Sequence, residues 1–201
     1  MQPQWSAEMR RGLTPSQTVG PYLHIGFDWL NTTQLVSADT PGEHVLIEGQ
    51  LLDAEGIAVP DGLIEIWQAD AQGVYAHAED GRSQTKGFQG FGRCATDADG
   101  FYRFVSIRPG AYPWRNHPNA WRPAHIHFSL FGNAFATRLV TQMYFPGDPL
   151  LALDPIYNSV PEGARDRMVS TFDLNLTEPE HALGLRFDIV LRGRDATPME
   201  C

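Results

Sequence analysis

Cysteine, basic charge and long apolar runs are all in short supply in this chain, and each shortage removes a class of protein from consideration. Its 201 residues include 2 cysteines, Cys94 and Cys201, far apart and without metal-type spacing. That is too few for the disulfide framework of a small secreted domain, and it fits a reduced, cytoplasmic compartment in which both thiols are incidental. Lysine and arginine number 15 against 24 aspartates and glutamates, a formal charge of −9. Nucleic acid is not an expected partner, because phosphate binding needs a basic surface. An anionic substrate would need local arginines, since the overall field gives it no help. No apolar run approaches the ~20 residues that cross a bilayer. Met1–Arg11 also lacks the hydrophobic stretch of a signal peptide, so no membrane is expected. Repeats and low-complexity linkers are missing too. What is present is 42% hydrophobic residues, enough for one substantial core. The expectation is a single domain over 1–201, with residues 1–26 as an N-terminal arm.

Short β-rich runs separated by turn signals dominate the pattern. Strands are expected at His44–Leu52, Leu63–Gln68, Gly90–Thr96, Phe101–Ile107, His125–Phe131, Arg138–Phe145 and Leu185–Leu191. Leu63-Ile64-Glu65-Ile66-Trp67-Gln68 alternates apolar and polar, as a strand with one buried face should. Asp97-Ala98-Asp99-Gly100 sits between two strands and reads as a hairpin turn. One short helix is expected from Pro161 through Glu162 to Val169. Residues 27–43 have no clear pattern and read as a surface crossing. Many short strands with little helix mean an all-β fold, a sandwich or a barrel.

The chemistry concentrates in Tyr112-Pro113-Trp114-Arg115 and Trp121-Arg122-Pro123-Ala124-His125-Ile126-His127. In an extended strand the side chains at i and i+2 share a face, so His125 and His127 can converge on one point. Two imidazoles at one point suit a first-row transition metal. A phenolate from Tyr112, 13 positions upstream of His125, is a hard anionic donor that favours a trivalent ion, above all Fe(III). Alternating histidines also occur on ordinary half-buried strands, and the single histidines His24, His44, His117 and His181 read as structural or exposed.

These stretches, with Thr14–Tyr22, Ile66-Trp67-Gln68-Ala69-Asp70 and Arg186-Phe187-Asp188-Ile189, resemble the intradiol ring-cleavage dioxygenases from about Thr14 to Arg192. The resemblance implies a β-sandwich of mixed and antiparallel strands, with long loops and one or two short helices. It implies a non-haem Fe(III) held by Tyr75, Tyr112, His125 and His127. Tyr112 would be the ligand that leaves when substrate binds and takes a catechol proton. Arg122 would stabilise negative charge on the ring, Gln142 would support the centre and Trp114 would line it. The expected substrates are a small aromatic diol and O2, with protocatechuate (3,4-dihydroxybenzoate) cleaved to 3-carboxy-cis,cis-muconate in aromatic catabolism.

The family's heteromeric members use two related chains, and this one resembles both. Its start and its length are similar to the non-iron α type, whose Thr18, Gly20, Pro21 and Tyr22 equivalents face substrate in a neighbouring pocket. From Tyr112 onward it is similar to the iron-binding β type. Where α chains carry an arginine for the substrate carboxylate, this chain reads Phe131-Gly132-Asn133-Ala134. An oligomer is implied, of this chain alone or with a related second chain. The alternative reading is a non-catalytic α-type partner. A metal-free binding module of the same fold is a third, and it would leave unexplained why all four donor positions hold donors.

Overall fold

The structure is a computed structural model, and it describes residues 20, 22, 25–26, 30–114, 120–131 and 138–199. Alternating, β-branched stretches become strands: β1 (His44–Leu52), β2 (Leu63–Trp67), β3 (Phe91–Ala95), β4 (Phe101–Ile107), β5 (Tyr112–Pro113), β6 (Trp121–Arg122), β7 (His125–Phe131), β8 (Leu139–Tyr144), β9 (Thr171–Phe172), β10 (Leu183–Arg186) and β11 (Ile189–Val190). β1 anchors a mixed sheet, antiparallel to β4 and parallel to β10 and β11, with β9 beyond β10. The second sheet has the order β3-β2-β7-β8 and is antiparallel throughout. β5 and β6 form a separate two-stranded ribbon.

Between the sheets lies an apolar core. Val45, Ile47, Leu51 and Phe104 come from the first sheet, and Ile64, Ile66, Ile126, Phe128 and Leu130 from the second. The fold is therefore the expected all-β sandwich. Cys94 belongs to this core, and burial pushes its thiol up to about 12, far from the reactive thiolate range. Among the described residues no helix is long and apolar enough to cross a membrane.

Several local expectations give way to long-range pairing. Asp97–Gly100 is a tight turn, with Gly100 N–H donating to Asp97 O at 3.0 Å, but it is not a hairpin. The strands it joins, β3 and β4, lie in different sheets. Leu185–Leu191 is not one strand but two, β10 and β11. The break lies at Phe187-Asp188, where Tyr102 Oη donates to Phe187 O and Gln50 N–H donates to Asp188 Oδ1 at 2.9 Å. Gly49 allows this close passage, because a Cβ there would stand 1.8 Å from Phe187 O. The Glu162–Val169 helix is shorter, an α-helical turn at Glu162–Arg165 (α2) running into a 3-10 turn at Asp166–Met168. Upstream, a 3-10 turn at Pro149–Leu153 and a short helix α1 (Pro155–Ser159) escaped the sequence pattern.

Residues 30–43 do more than cross the surface. Thr32 pairs with Arg93 of β3 and Gln34 with Val105 of β4, so this strap covers an edge strand of the second sheet and joins it to β4. Leu35 (1% exposed) and Val36 enter the core between them. Replacing Leu35 with alanine should therefore cost about 2–5 kcal/mol, as core truncations do. Urea unfolding checks this, and a loss within about 0.5 kcal/mol, the surface-site range, would mean that the strap is not part of the core.

Candidate metal centre

β7 turns alternate residues toward the core. Ile126, Phe128 and Leu130 point into the core, which leaves His125 and His127 on the outer face of the second sheet. The register of that face places His127 between Trp67 of β2 and Gln142 of β8, and His125 opposite Tyr144. Tyr112 arrives on the β5–β6 ribbon, directly opposite Arg122. Tyr75 arrives on the loop after β2, which buried Asp70 organises. Asp70 Oδ1 accepts from Gln72 and Val74 N–H at 2.9 and 3.0 Å, and Oδ2 accepts from Thr85 N–H at 2.8 Å. Gly73, at φ 73°, lets this loop pack on the ribbon, since a Cβ would stand 2.5 Å from Ala111 O.

The four predicted ligands converge. Tyr112 Oη lies 3.3 Å from His125 Nε2, which lies 3.2 Å from His127 Nε2. The Tyr75 and Tyr112 rings meet edge to face at 5.4 Å, and Tyr75 is 6.3 Å from the His127 ring. His125 Nδ1–H donates to Pro123 O at 2.8 Å, since a carbonyl can only accept. Its Nε2 lone pair is thereby aimed at the centre. Two nitrogens bound ~2.1 Å from one ion at a right angle would stand ~3.0 Å apart, close to what is observed. Without a cation or a shared proton, two lone pairs at this distance repel. Tyr75 Oη is buried without a hydrogen-bond partner, although Tyr112 is near enough to act on its acidity. An orphaned hydroxyl beside two close imidazoles and a second phenol is a donor set missing its acceptor, and two phenols with two imidazoles suit a trivalent first-row metal.

Burial sets the protonation states. It raises Tyr75, helped by Tyr112, and raises Tyr112, where the Arg122 charge opposes it. Burial, the His127 ring and Arg122 hold His125 well below its ordinary range, and burial and Arg122 bring His127 to about 4. Both imidazoles are therefore neutral and free to ligate, while the phenols keep their protons until a cation favours release.

A cleft of about 540 Å³ opens over Tyr75 and Tyr112, walled by Trp67, Pro113 and Trp114. Arg122 does not line it. Its guanidinium is buried behind the wall, 6.0 Å from the Trp114 ring, and Nη2 donates to Gln142 Oε1 at 2.6 Å. The Nε sits 3.1 Å from Asp154 Oδ1, an ion pair without hydrogen-bond alignment. A larger groove, about 990 Å³, runs past His44 and His181 on the mixed sheet, away from all four ligands. His44 Nε2 bonds to Thr40 O, and His181 is exposed. Of the N-terminal substrate-facing set, Tyr22 is exposed and neither it nor Gly20 lines the cleft. Thr18, Pro21 and Asn133 lie outside the described residues, as do His24 and His117.

Sequence reasoning missed three members of the site. Trp67, 42% exposed, packs on Tyr75 at 5.0 Å, and its signal was an indole on the outward face of an alternating strand. Tyr144 shares a face of β8 with Gln142 at i+2. Asp154 precedes a proline at a helix start, a cap signal that carries no hint of its partner.

The dioxygenase family model matches residues 21–193. The protocatechuate 3,4-dioxygenase beta chain of Burkholderia cepacia is 56% identical over 187 residues, covering 92% of this chain and 78% of that one. The protocatechuate 3,4-dioxygenase alpha chain of Pseudomonas putida is 34% identical over 196 residues, covering 92% and 94%. Among solved structures, the dioxygenase domain of a dioxygenase carbohydrate-binding protein fusion from Streptomyces sp. SirexAA-E is similar at a TM-score of 0.62 and 28% identity, covering 90% of this chain and 99% of that chain.

Removing a donor should separate stability from metal binding. Tyr75→Phe deletes the orphaned hydroxyl and should stabilise the metal-free protein by about 1–3 kcal/mol, while weakening its metal affinity. His125→Ala and His127→Ala should lose the metal and keep strand-rich circular dichroism. Metal analysis and thermal unfolding check both, and unchanged metal content in both histidine variants would make those residues structural.

Proposed function

The chain belongs to the intradiol ring-cleavage dioxygenases of the protocatechuate type, and we propose that its own Tyr75, Tyr112, His125 and His127 hold the non-haem Fe(III) that this family uses. The reaction is intradiol cleavage of protocatechuate. The ring bond between the two hydroxylated carbons breaks, both atoms of O2 enter the product 3-carboxy-cis,cis-muconate, and no external reductant is needed. The observation that carries the site assignment is the meeting of Tyr112 Oη, His125 Nε2 and His127 Nε2 beside the unpartnered Tyr75 Oη.

When bound, Fe(III) supplies the electrophilic centre that chelates the catecholate and makes the ring reactive toward O2. The protein's own groups do the rest. His125 and His127 stay neutral and offer lone pairs. Tyr112 would hold the metal as phenolate at rest and would take a catechol proton at Oη; the neighbouring Arg122 charge favours phenolate there against burial. Tyr112 lines the cleft and lies opposite buried Arg122 across the ribbon, so the guanidinium's fixed positive charge would stabilise negative charge developing on the ring. Gln142 holds that guanidinium, and Trp67 and Trp114 keep water from the ring.

Carboxylate recognition calls for help from outside. Among the described residues the arginine lining the cleft is Arg82, which is engaged with Asp80 at 2.6 Å and with Gly73 O. A related second chain carrying an arginine would complete the pocket, giving a heteromeric oligomer. The alternative of a non-catalytic α-type partner leaves a full donor set without a purpose, and 56% identity to a beta chain weighs against it.

The purified chain should bind iron, take on the burgundy colour of Fe(III)–tyrosinate charge transfer and consume O2 with protocatechuate. A colourless, iron-free product after reconstitution with iron would overturn the reading. Tyr112→Phe should keep iron, shift the colour and slow turnover. Arg122→Lys should lower kcat about 100-fold, as loss of a fixed transition-state donor does, with little loss of iron. Steady-state kinetics with and without the second chain should show protocatechuate preferred over unsubstituted catechol only in the complex.

A further inference from the structure

Arg122 is held from behind by groups that the chemistry above does not use. Asp154 is fully buried and does not line the cleft. Its Oδ1 caps α1 by accepting from Ile156 N–H at 3.2 Å and stands 3.1 Å from Arg122 Nε. Its Oδ2 accepts from Tyr144 Oη–H at 3.0 Å, and Tyr144 Oη in turn lies 3.4 Å from Arg122 Nη2. Six residues earlier, Asp148 repeats the device. Its Oδ1 caps the 3-10 turn through Leu150 N–H at 3.0 Å, and its Oδ2 accepts from Ala124 N–H at 3.1 Å. Asp148 thus grips a helical turn with one oxygen and Ala124 with the other, whereas Asp154 meets both the α1 cap and Arg122 through Oδ1 and is braced by Tyr144 at Oδ2.

We propose that Asp154, braced by Tyr144 and α1, is the positioning residue that fixes the Arg122 guanidinium beside the metal ligands. This rests on the role of Arg122 given above. A planar guanidinium with one anchor at Gln142 can still swing about that contact. A second anchor on the Nε side, from a carboxylate that a helix cap and a phenol already immobilise, removes that freedom. The same carboxylate offsets the cost of burying a guanidinium 4% exposed. Asp148 sets the height of the backbone between Arg122 and His125, and Asp154 sets the side chain.

The test is Asp154→Asn, which keeps an acceptor for the cap and removes the charge. In the iron-loaded protein kcat should fall about 100-fold, the usual cost of a misplaced group, with KM and iron content little changed. The Asp154→Asn/Arg122→Lys double variant should be no slower than Arg122→Lys alone, because both changes act through one group. A purely structural Asp154 would give additive losses, which overturns the proposal, as does full kcat in Asp154→Asn. Crystal structures of wild type and variant provide a readout without turnover. The guanidinium should leave Gln142 Oε1, and an unmoved guanidinium overturns the proposal. Failure of the wild type to cleave any catechol would instead sink the functional reading and leave the crystal comparison decisive here. Should Asp154→Asn not fold, Tyr144→Phe should give a smaller kcat loss that is likewise non-additive with Arg122→Lys, and additive or absent loss overturns the proposal.

Discussion

The two-residue period of β7 is the constraint on which the rest depends. Ile126, Phe128 and Leu130 must face the core, so His125 and His127 must face out together. A slip of one residue would put both imidazoles into the apolar core and three aliphatic or aromatic side chains on the outer face. The core therefore holds the candidate metal centre in register: three apolar side chains prevent the slip, and the histidines share their backbone. Neighbouring strands then set the cast around them, Trp67 on one side and Gln142 and Tyr144 on the other.

Burial gives the centre its electrostatic character. Two phenols, two imidazoles and a guanidinium share a region with little water, where any charge must be answered locally. The guanidinium is answered by Asp154, Gln142 and Tyr144. The imidazoles respond by staying neutral, which keeps their lone pairs available. Two groups of the network stay without a hydrogen bond, Arg122 Nε, which has only its ion pair with Asp154, and Tyr75 Oη. Tyr75 lines the cleft near the close imidazole pair, a donor arrangement that suits a cation.

Charge distribution bears on the proposed recognition of a carboxylated substrate. The whole chain carries −9, and the arginine at the cleft is neutralised by Asp80. Among the described residues the other arginine near the candidate site, Arg122, is buried and engaged with Gln142 and Asp154. Under the proposed function, recognition of a substrate carboxylate would therefore fall to a second chain.

Much of this was legible in local pattern. β1, β4 and β7 have the bounds that alternation and turn residues suggested, and the strand period put His125 and His127 on one face, whereas Tyr75 as a fourth donor came from the family resemblance. These are short-range properties, since a period of two or a turn residue is decided within a few positions. Pairing is not. The Asp97–Gly100 turn has the same chemistry whether it closes a hairpin or carries the chain between sheets, and only the packing of β3 and β4 against different partners decided which. Leu35 and Val36 had no period to betray them, because a strap bonded alternately to two sheets needs none. Asp154 lies 32 residues beyond Arg122, at a helix cap that sequence can mark but not aim. Residue types and face were determined by the sequence itself. Which carboxylate answers which cation, and which hydroxyl is left unanswered, was decided by tertiary structure, because buried electrostatics depend on distances that no local pattern carries.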